Sequence, residues 1–178
     1  MTFINGLLQR LLFTFGVMLF MQLPQFIDHY SQQFSGYYLA QQTQLQQFQF
    51  IADTNFSGQL DTLIADFDAS PAPAVQQVGK QVFTLQQSLP LLAADLAILT
   101  DGSYVNKLGY FITRVDSKLA ENTLSLYTPG IPLSQAAIVT GLIGGVSLNL
   151  CWLLSLKLLS VIFFRLRLLT NKTTNKPA

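Results

Sequence analysis

Apolar residues crowd two long stretches of this chain, one near each end. Residues 3–23 include a nearly unbroken apolar run over positions 11–21. Residues 135–156 carry no charge, and their apolar pattern continues through 158–164 to Arg165 and Arg167. About twenty such residues cross a hydrocarbon core of ~30 Å, so both stretches predict membrane-spanning helices. The second is longer than one bilayer and must tilt or lay its last turns along the interface. A cleaved leader also has a basic start and an apolar core. Here, however, the core is followed by Gln22-Leu-Pro-Gln-Phe-Ile-Asp28, and the first alanine is Ala40. An uncleaved anchor is expected.

Between these stretches the pattern changes period. Tyr30, Phe34, Tyr37, Tyr38, Leu45 and Phe48 stand close to three and four apart, the stripe of an amphipathic helix continuing from the first anchor. Pro24 predicts a bend in it. Leu60, Leu63, Ile64 and Phe67 predict a short helix after a turn, and Ser70-Pro-Ala-Pro73 ends it. The clearest seam follows: Val75, Val78, Val82, Leu85, Leu89, Leu92, Leu96 and Leu99, coiled-coil-like except for a kink expected at Pro90. A turn and cap at Ser103 precede a helix over 104–115, and another is expected over 117–127. Ser134 is placed to cap the last helix. No run alternates apolar and polar residues as a strand would. The fold class is therefore all-α, with two transmembrane helices flanking a small periplasmic helical bundle. The divisions are 1–24 for the N-terminal anchor, 25–133 for the helical domain, 134–168 for the C-terminal span and 169–178 for a disordered cytoplasmic tail.

Charge supplies the orientation. All nine acidic residues lie between Asp28 and Glu121, with four basic residues among them, whereas six basic residues and no acids occupy the flanks. Basic flanks favour the cytoplasm, so both termini are expected there and residues 25–133 in the periplasm. Arg10, Lys157, Arg165 and Arg167 are candidate membrane-interface cations, and Tyr30 and Tyr127 candidate aromatic anchors. Only 11% of the chain is charged, against about 25% for soluble domains. A net charge of +1 leaves no basic excess for a nucleic-acid partner. One His and one Cys cannot make a His/Cys metal cluster, a disulfide framework or a Cys–His pair.

Leu23-Pro-Gln-Phe-Ile-Asp-His-Tyr30 after the first span, Tyr127-Thr-Pro-Gly-Ile-Pro-Leu133 before the second, and Gly58-Gln-Leu-Asp-Thr-Leu-Ile64 resemble a family of proteobacterial inner-membrane proteins of about this length. The family is a domain of unknown function. The resemblance implies an inner-membrane location and two transmembrane helices around a periplasmic helical region. It brings no activity, cofactor or site residue. The prolines in these motifs also have a physical reading, since a fixed φ sets the angle at which a span leaves the membrane.

Five features merit weighing as sites. Asp53, Asn55, Ser57, Gly58 and Asp61 fall at the oxygen-ligand and glycine positions of an EF-hand-type calcium loop. The bidentate acid at position twelve is replaced by Ile64, so an ordinary interhelical turn is expected, with no metal and no cofactor. Asp28, His29 and Tyr30 could move a proton at the membrane surface, but no nucleophile with its own base accompanies them. Cys151 in an apolar span is expected to be inert. Gly141 and Gly145, with Ala137 four residues earlier, form a small-residue face that admits a neighbouring helix, either the chain's own first span through Gly16 or another chain. Lys157 either reaches the interface or sits within the membrane and needs a partner.

The expected function is a non-enzymatic interaction or scaffold protein, its partners being the bilayer and another membrane protein or a second copy, with any small-molecule ligand unknown. A receptor-like periplasmic sensor is the alternative, although about eleven residues after Arg167 leave no room for an output module. An enzyme or transporter is the least supported, because intramembrane acids and a nucleophile–base pair are missing.

Overall fold

A computed structural model describes the backbone of residues 2–173 and the side chains of residues 6–159. Six helices follow in order: α1 Thr2–Asn55, α2 Leu60–Asp68, α3 Pro73–Asp101, α4 Tyr104–Thr113, α5 Ser117–Leu126 and α6 Gln135–Thr173, with no strand among the described residues. Four of the helices start where local chemistry favours it. Pro73 opens α3, at a position where the missing N–H costs nothing. The Ser103 hydroxyl accepts from Asn106 N at the start of α4, and Asp116 Oδ1 accepts from Leu119 N at the start of α5. Ser134 Oγ accepts from Ala137 N before α6. α1 runs unbroken through Pro24, and α3 through Pro90.

Contacts divide the chain into two units, one formed by the stretches up to Gln25 and from Thr128, the other by Phe26–Tyr127. In the second unit, the predicted seam of α3 is its packing face. Val82 meets the α2 side with Val78 packed beside it, and there Leu60, Leu63, Ile64 and Val82 join Ala52 of α1 in one apolar cluster. α3 approaches α2 closely at Gly79, where a β-carbon would lie 3.0 Å from Phe67 Cβ. Removing a side chain such as the fully buried Leu63 would cost about 2–5 kcal/mol. Leu99 enters a separate cluster with Tyr30, Phe34 and Tyr110.

Three expectations need correction. Three helices rather than two, α1, α3 and α6, are long and apolar enough to cross a membrane, and no periplasmic bundle is defined by the fold itself. α3 qualifies because its Val/Leu seam and its outward Phe83 and Leu91 make it as apolar as a span, and length and composition do not separate the two uses. α6 continues to Thr173, past the expected limit at 168, because no Gly or Pro interrupts residues 165–173. Residues 174–178 of the expected tail, and the side chains of Arg165 and Arg167, lie outside the described residues. Tyr30, expected as an interfacial anchor, is fully buried.

Candidate functional site

Tyr30 is buried because aromatic rings from far along the chain close over it. Its ring lies 4.8 Å from Phe111, 6.1 Å from Phe34 and 6.3 Å from Tyr110. Its hydroxyl accepts from Asp116 N at 3.1 Å, which ties α1 to the start of α5. One residue on, Ser31 Oγ donates to Ile27 O at 2.8 Å and approaches Leu99 O at 3.3 Å, holding α3 against α1. The buried Thr123 hydroxyl lies 2.8 Å from Gln33 Oε1 and 2.7 Å from Leu119 O, donating to one of them at a time. These bonds fix α5 along α1.

Above this floor opens a groove of about 480 Å³ to which four helices contribute. Phe34 and Tyr37 come from α1, Leu92 and Asp95 from α3, Tyr110 from α4, and Leu119 and Asn122 from α5. Arg114 and Asp116 enter from the turn between α4 and α5, with Lys118 on its first turn. The turn is tightly made: Arg114 caps α4 through its backbone N–H to Tyr110 O at 2.7 Å. Arg114 Nη1 meets Asp95 Oδ1 at 3.2 Å across the groove. With Arg114 62% exposed, that pair contributes at most about 1 kcal/mol, so it can open for a guest at little cost. Burial, then the hydrogen bond with Tyr30 and the nearby carboxylates of Asp95 and Asp116, raise the Tyr110 pKa well above the ordinary tyrosine value. Tyr110 therefore stays protonated through neutral pH and cannot serve as a base there. Tyr127, half-buried with its ring 5.7 Å from Phe26 and 5.4 Å from His29, is raised by burial as well. His29 is thus stacked edge-on against an aromatic ring, and Asp28 is exposed.

The calcium-like spacing does not make a ligand shell. α1 runs to Asn55, so Asp53 and Asn55 sit in its last turn rather than in a loop. Asp53 Oδ1 accepts from Gln49, the Asn55 amide donates to Ile51 O, and Asp61 Oδ1 accepts from Gln86. Ser57 and Gly58 turn the chain with φ of 53° and 79°, left-handed values that glycine takes without cost. No group of three His, Cys, Asp or Glu residues suited to a metal occurs among the described residues.

In the other unit the small residues of α6 lie against α1 of the same chain. A β-carbon on Gly16 would come within 3.0 Å of Gly145 Cα. One on Gly141 would meet Met21 and lie 2.9 Å from Val17 O, and one on Gly145 would lie 2.6 Å from Val17 Cγ2. Gly144, which the four-residue spacing overlooked, lies against Phe20. Ala137 is fully buried. Gln22 Nε2 donates to Gly130 O at 2.8 Å, fastening the segment before α6 to α1. Arg10 and Lys157 are exposed, and Cys151 is an exposed free thiol.

The model of one family, described as a protein of unknown function (DUF2937), matches residues 4–165. The chain belongs to that family. The DUF2937 match covers α1 through most of α6, so the groove and the glycine contact both fall inside it. No curated protein and no solved structure matches the chain. The groove itself was invisible to sequence reasoning, because its lining residues span positions 34 to 122 and come from four helices.

Proposed function

We propose that this DUF2937 protein is a non-enzymatic binding or scaffold protein of the bacterial inner membrane. In this reading α1 and α6 cross the bilayer, both termini are cytoplasmic, and residues 25–133 form a periplasmic helical domain. The charge sorting supports it, with every acid between Asp28 and Glu121. α3 remains in the aqueous domain, because its buried seam is used by α2 and α4. Those helices have nine and ten residues, about 15 Å at most, and cannot cross with it.

The observation that carries the binding role is the groove over Phe34, Tyr37 and Tyr110. It joins an apolar floor to a rim of Arg114, Lys118 and Asn122, the composition of a recognition site. Its chemistry is that of holding, since Tyr110 keeps its proton and Asp95 and Asp116 already serve Arg114 and the α5 cap. With α6 glycines engaged by α1, partner binding falls to the aqueous domain. A photo-crosslinking residue at Tyr37 or Asn122, activated in intact membranes, should capture one reproducible protein partner. Capture of a second copy alone would replace the scaffold with a homo-oligomer, and no capture from either position would reject it. A receptor-like sensor is the second reading, favoured by the groove volume of about 480 Å³, which suits a small ligand.

A further inference from the structure

A second cavity, of about 430 Å³, lies in the unit formed by the chain's two ends. Gly6, Gln9, Arg10, Phe13 and Thr14 of α1 line it together with Asn149 of α6. Asn149 Oδ1 is buried there without a hydrogen-bond partner. A buried orphan amide costs about 1–3 kcal/mol, so its retention in an uncharged, largely apolar stretch asks for an explanation. Arg10 is the one cation lining the cavity among the described residues, and neither apolar stretch contains an acid to pair with it.

The depths are informative. Gly16 packs on Gly145, ten residues past Gln135 and therefore about 15 Å along α6. Arg10 lies six residues before Gly16, about 9 Å further toward the N-terminus. That places Arg10 about 24 Å from the start of α6, near the cytoplasmic edge of a ~30 Å core. Asn149, 14 residues beyond Gln135, lies several ångströms inside that edge.

We propose that this cavity binds one anionic glycerophospholipid of the cytoplasmic leaflet. Its phosphodiester meets the Arg10 guanidinium and the Gln9 amide, and an ester carbonyl, which lies deeper in the bilayer, meets the Asn149 amide. A half-turn of that amide keeps its shape and presents Nδ2 as the donor. Arg10 supplies the charge preference, and Asn149 reads the ester. The inference rests on the reading above that α1 and α6 cross the bilayer, and on its orientation for the choice of leaflet.

The test uses the full-length chain in neutral detergent, with native mass spectrometry counting retained lipid. The probes are ester-linked phosphatidylglycerol, its ether-linked analogue, phosphatidylcholine and inorganic phosphate. Phosphatidylglycerol should be retained about five-fold over phosphatidylcholine, the effect of one basic residue at an anionic headgroup. Arg10→Gln should remove that preference, whereas Asn149→Leu should keep it but abolish the preference of ester over ether. Lys80→Gln, an exposed lysine in the other unit, should change neither. Equal retention of the two headgroups by wild type, a preference surviving Arg10→Gln, or displacement by inorganic phosphate at equal concentration would each overturn the lipid site. Reporter fusions with inverted topology would instead reassign the leaflet and leave the binding ratios intact, so the two failures are distinct.

Discussion

Gly16 and Gly145 bring α1 and α6 so close that a β-carbon on the first would sit 3.0 Å from the Cα of the second. Such an approach maximises dispersion between two helices whose surfaces are otherwise as apolar as lipid. Leucine at Gly141 or Gly145 should therefore push the helices apart, at about 1–3 kcal/mol, without preventing insertion. Val146→Leu adds bulk to an exposed neighbour and should be silent. The readout is a disulfide between cysteines placed near residues 16 and 141 in a Cys151→Ser background. It should form within one chain and be lost in both glycine variants. Crosslinks as strong in those variants as in wild type would show that the glycines are incidental.

Much of this arrangement is legible locally, and what escaped is non-local. Val82, Leu85 and Leu99 announce the inner face of α3 by spacing alone, and Ser103 and Ser134 mark helix starts by their chemistry. Tyr30 misled because its position just after an apolar stretch matches an interfacial anchor. Its burial depends on Tyr110 and Phe111, some eighty residues away. The calcium-like spacing could be weighed from sequence only at position twelve, where Ile64 stands. Whether Asp53 and Asn55 can converge depends on where α1 ends, and the helix runs through both. α3 remains ambiguous to composition because a packing seam and a bilayer face use the same residues.

Alkaline pH should destabilise the fold through Tyr110. Burial beside Tyr30, Asp95 and Asp116 raises its pKa above the ordinary value, so the folded state holds a proton that the unfolded state releases near pH 10. The stabilisation is complete below about pH 10 and is lost as pH rises toward the folded-state value. The melting temperature should be level between pH 7 and 9 and then fall, as stability drops by up to about 1.4 kcal/mol per pH unit for this proton. Tyr110→Phe should make the fall shallower, and adding Tyr127→Phe should flatten it further, since burial raises that group too. An unchanged slope in Tyr110→Phe would locate the alkaline sensitivity elsewhere.

Calcium should leave stability untouched. Asp53 Oδ1 already accepts from Gln49, and the Gln49 amide also reaches Gly58 O at 2.9 Å, which secures the turn without an ion. A bound ion would be conspicuous, because a ligand at a hundredfold excess over its Kd adds about 2.7 kcal/mol. The full chain in detergent, melted with and without millimolar calcium, is expected to show coincident curves. A rise of several degrees that Asp53→Ala removes would establish a site at this turn.

Both chain ends are expected on one side of the membrane, and the alternative has a different signature. With two spans, a reporter active only in the periplasm should work when fused after Thr100 and fail after Ala178. If α3 also crossed, the chain would return to the cytoplasm before α4, and the two results would be exchanged. The physical case against that third crossing lies in what α3 would carry with it. Ser31 Oγ approaches Leu99 O, and Arg114 is paired with Asp95, so moving α3 into lipid strands a buried hydroxyl and separates an ion pair. An acid costs roughly 2.5–3.5 kcal/mol at the bilayer centre, and an unpaired Asp95, six residues before the end of α3, would carry part of that cost. An active fusion after Ala178 together with an inactive one after Thr100 would therefore overturn the two-span reading and place α3 in the membrane.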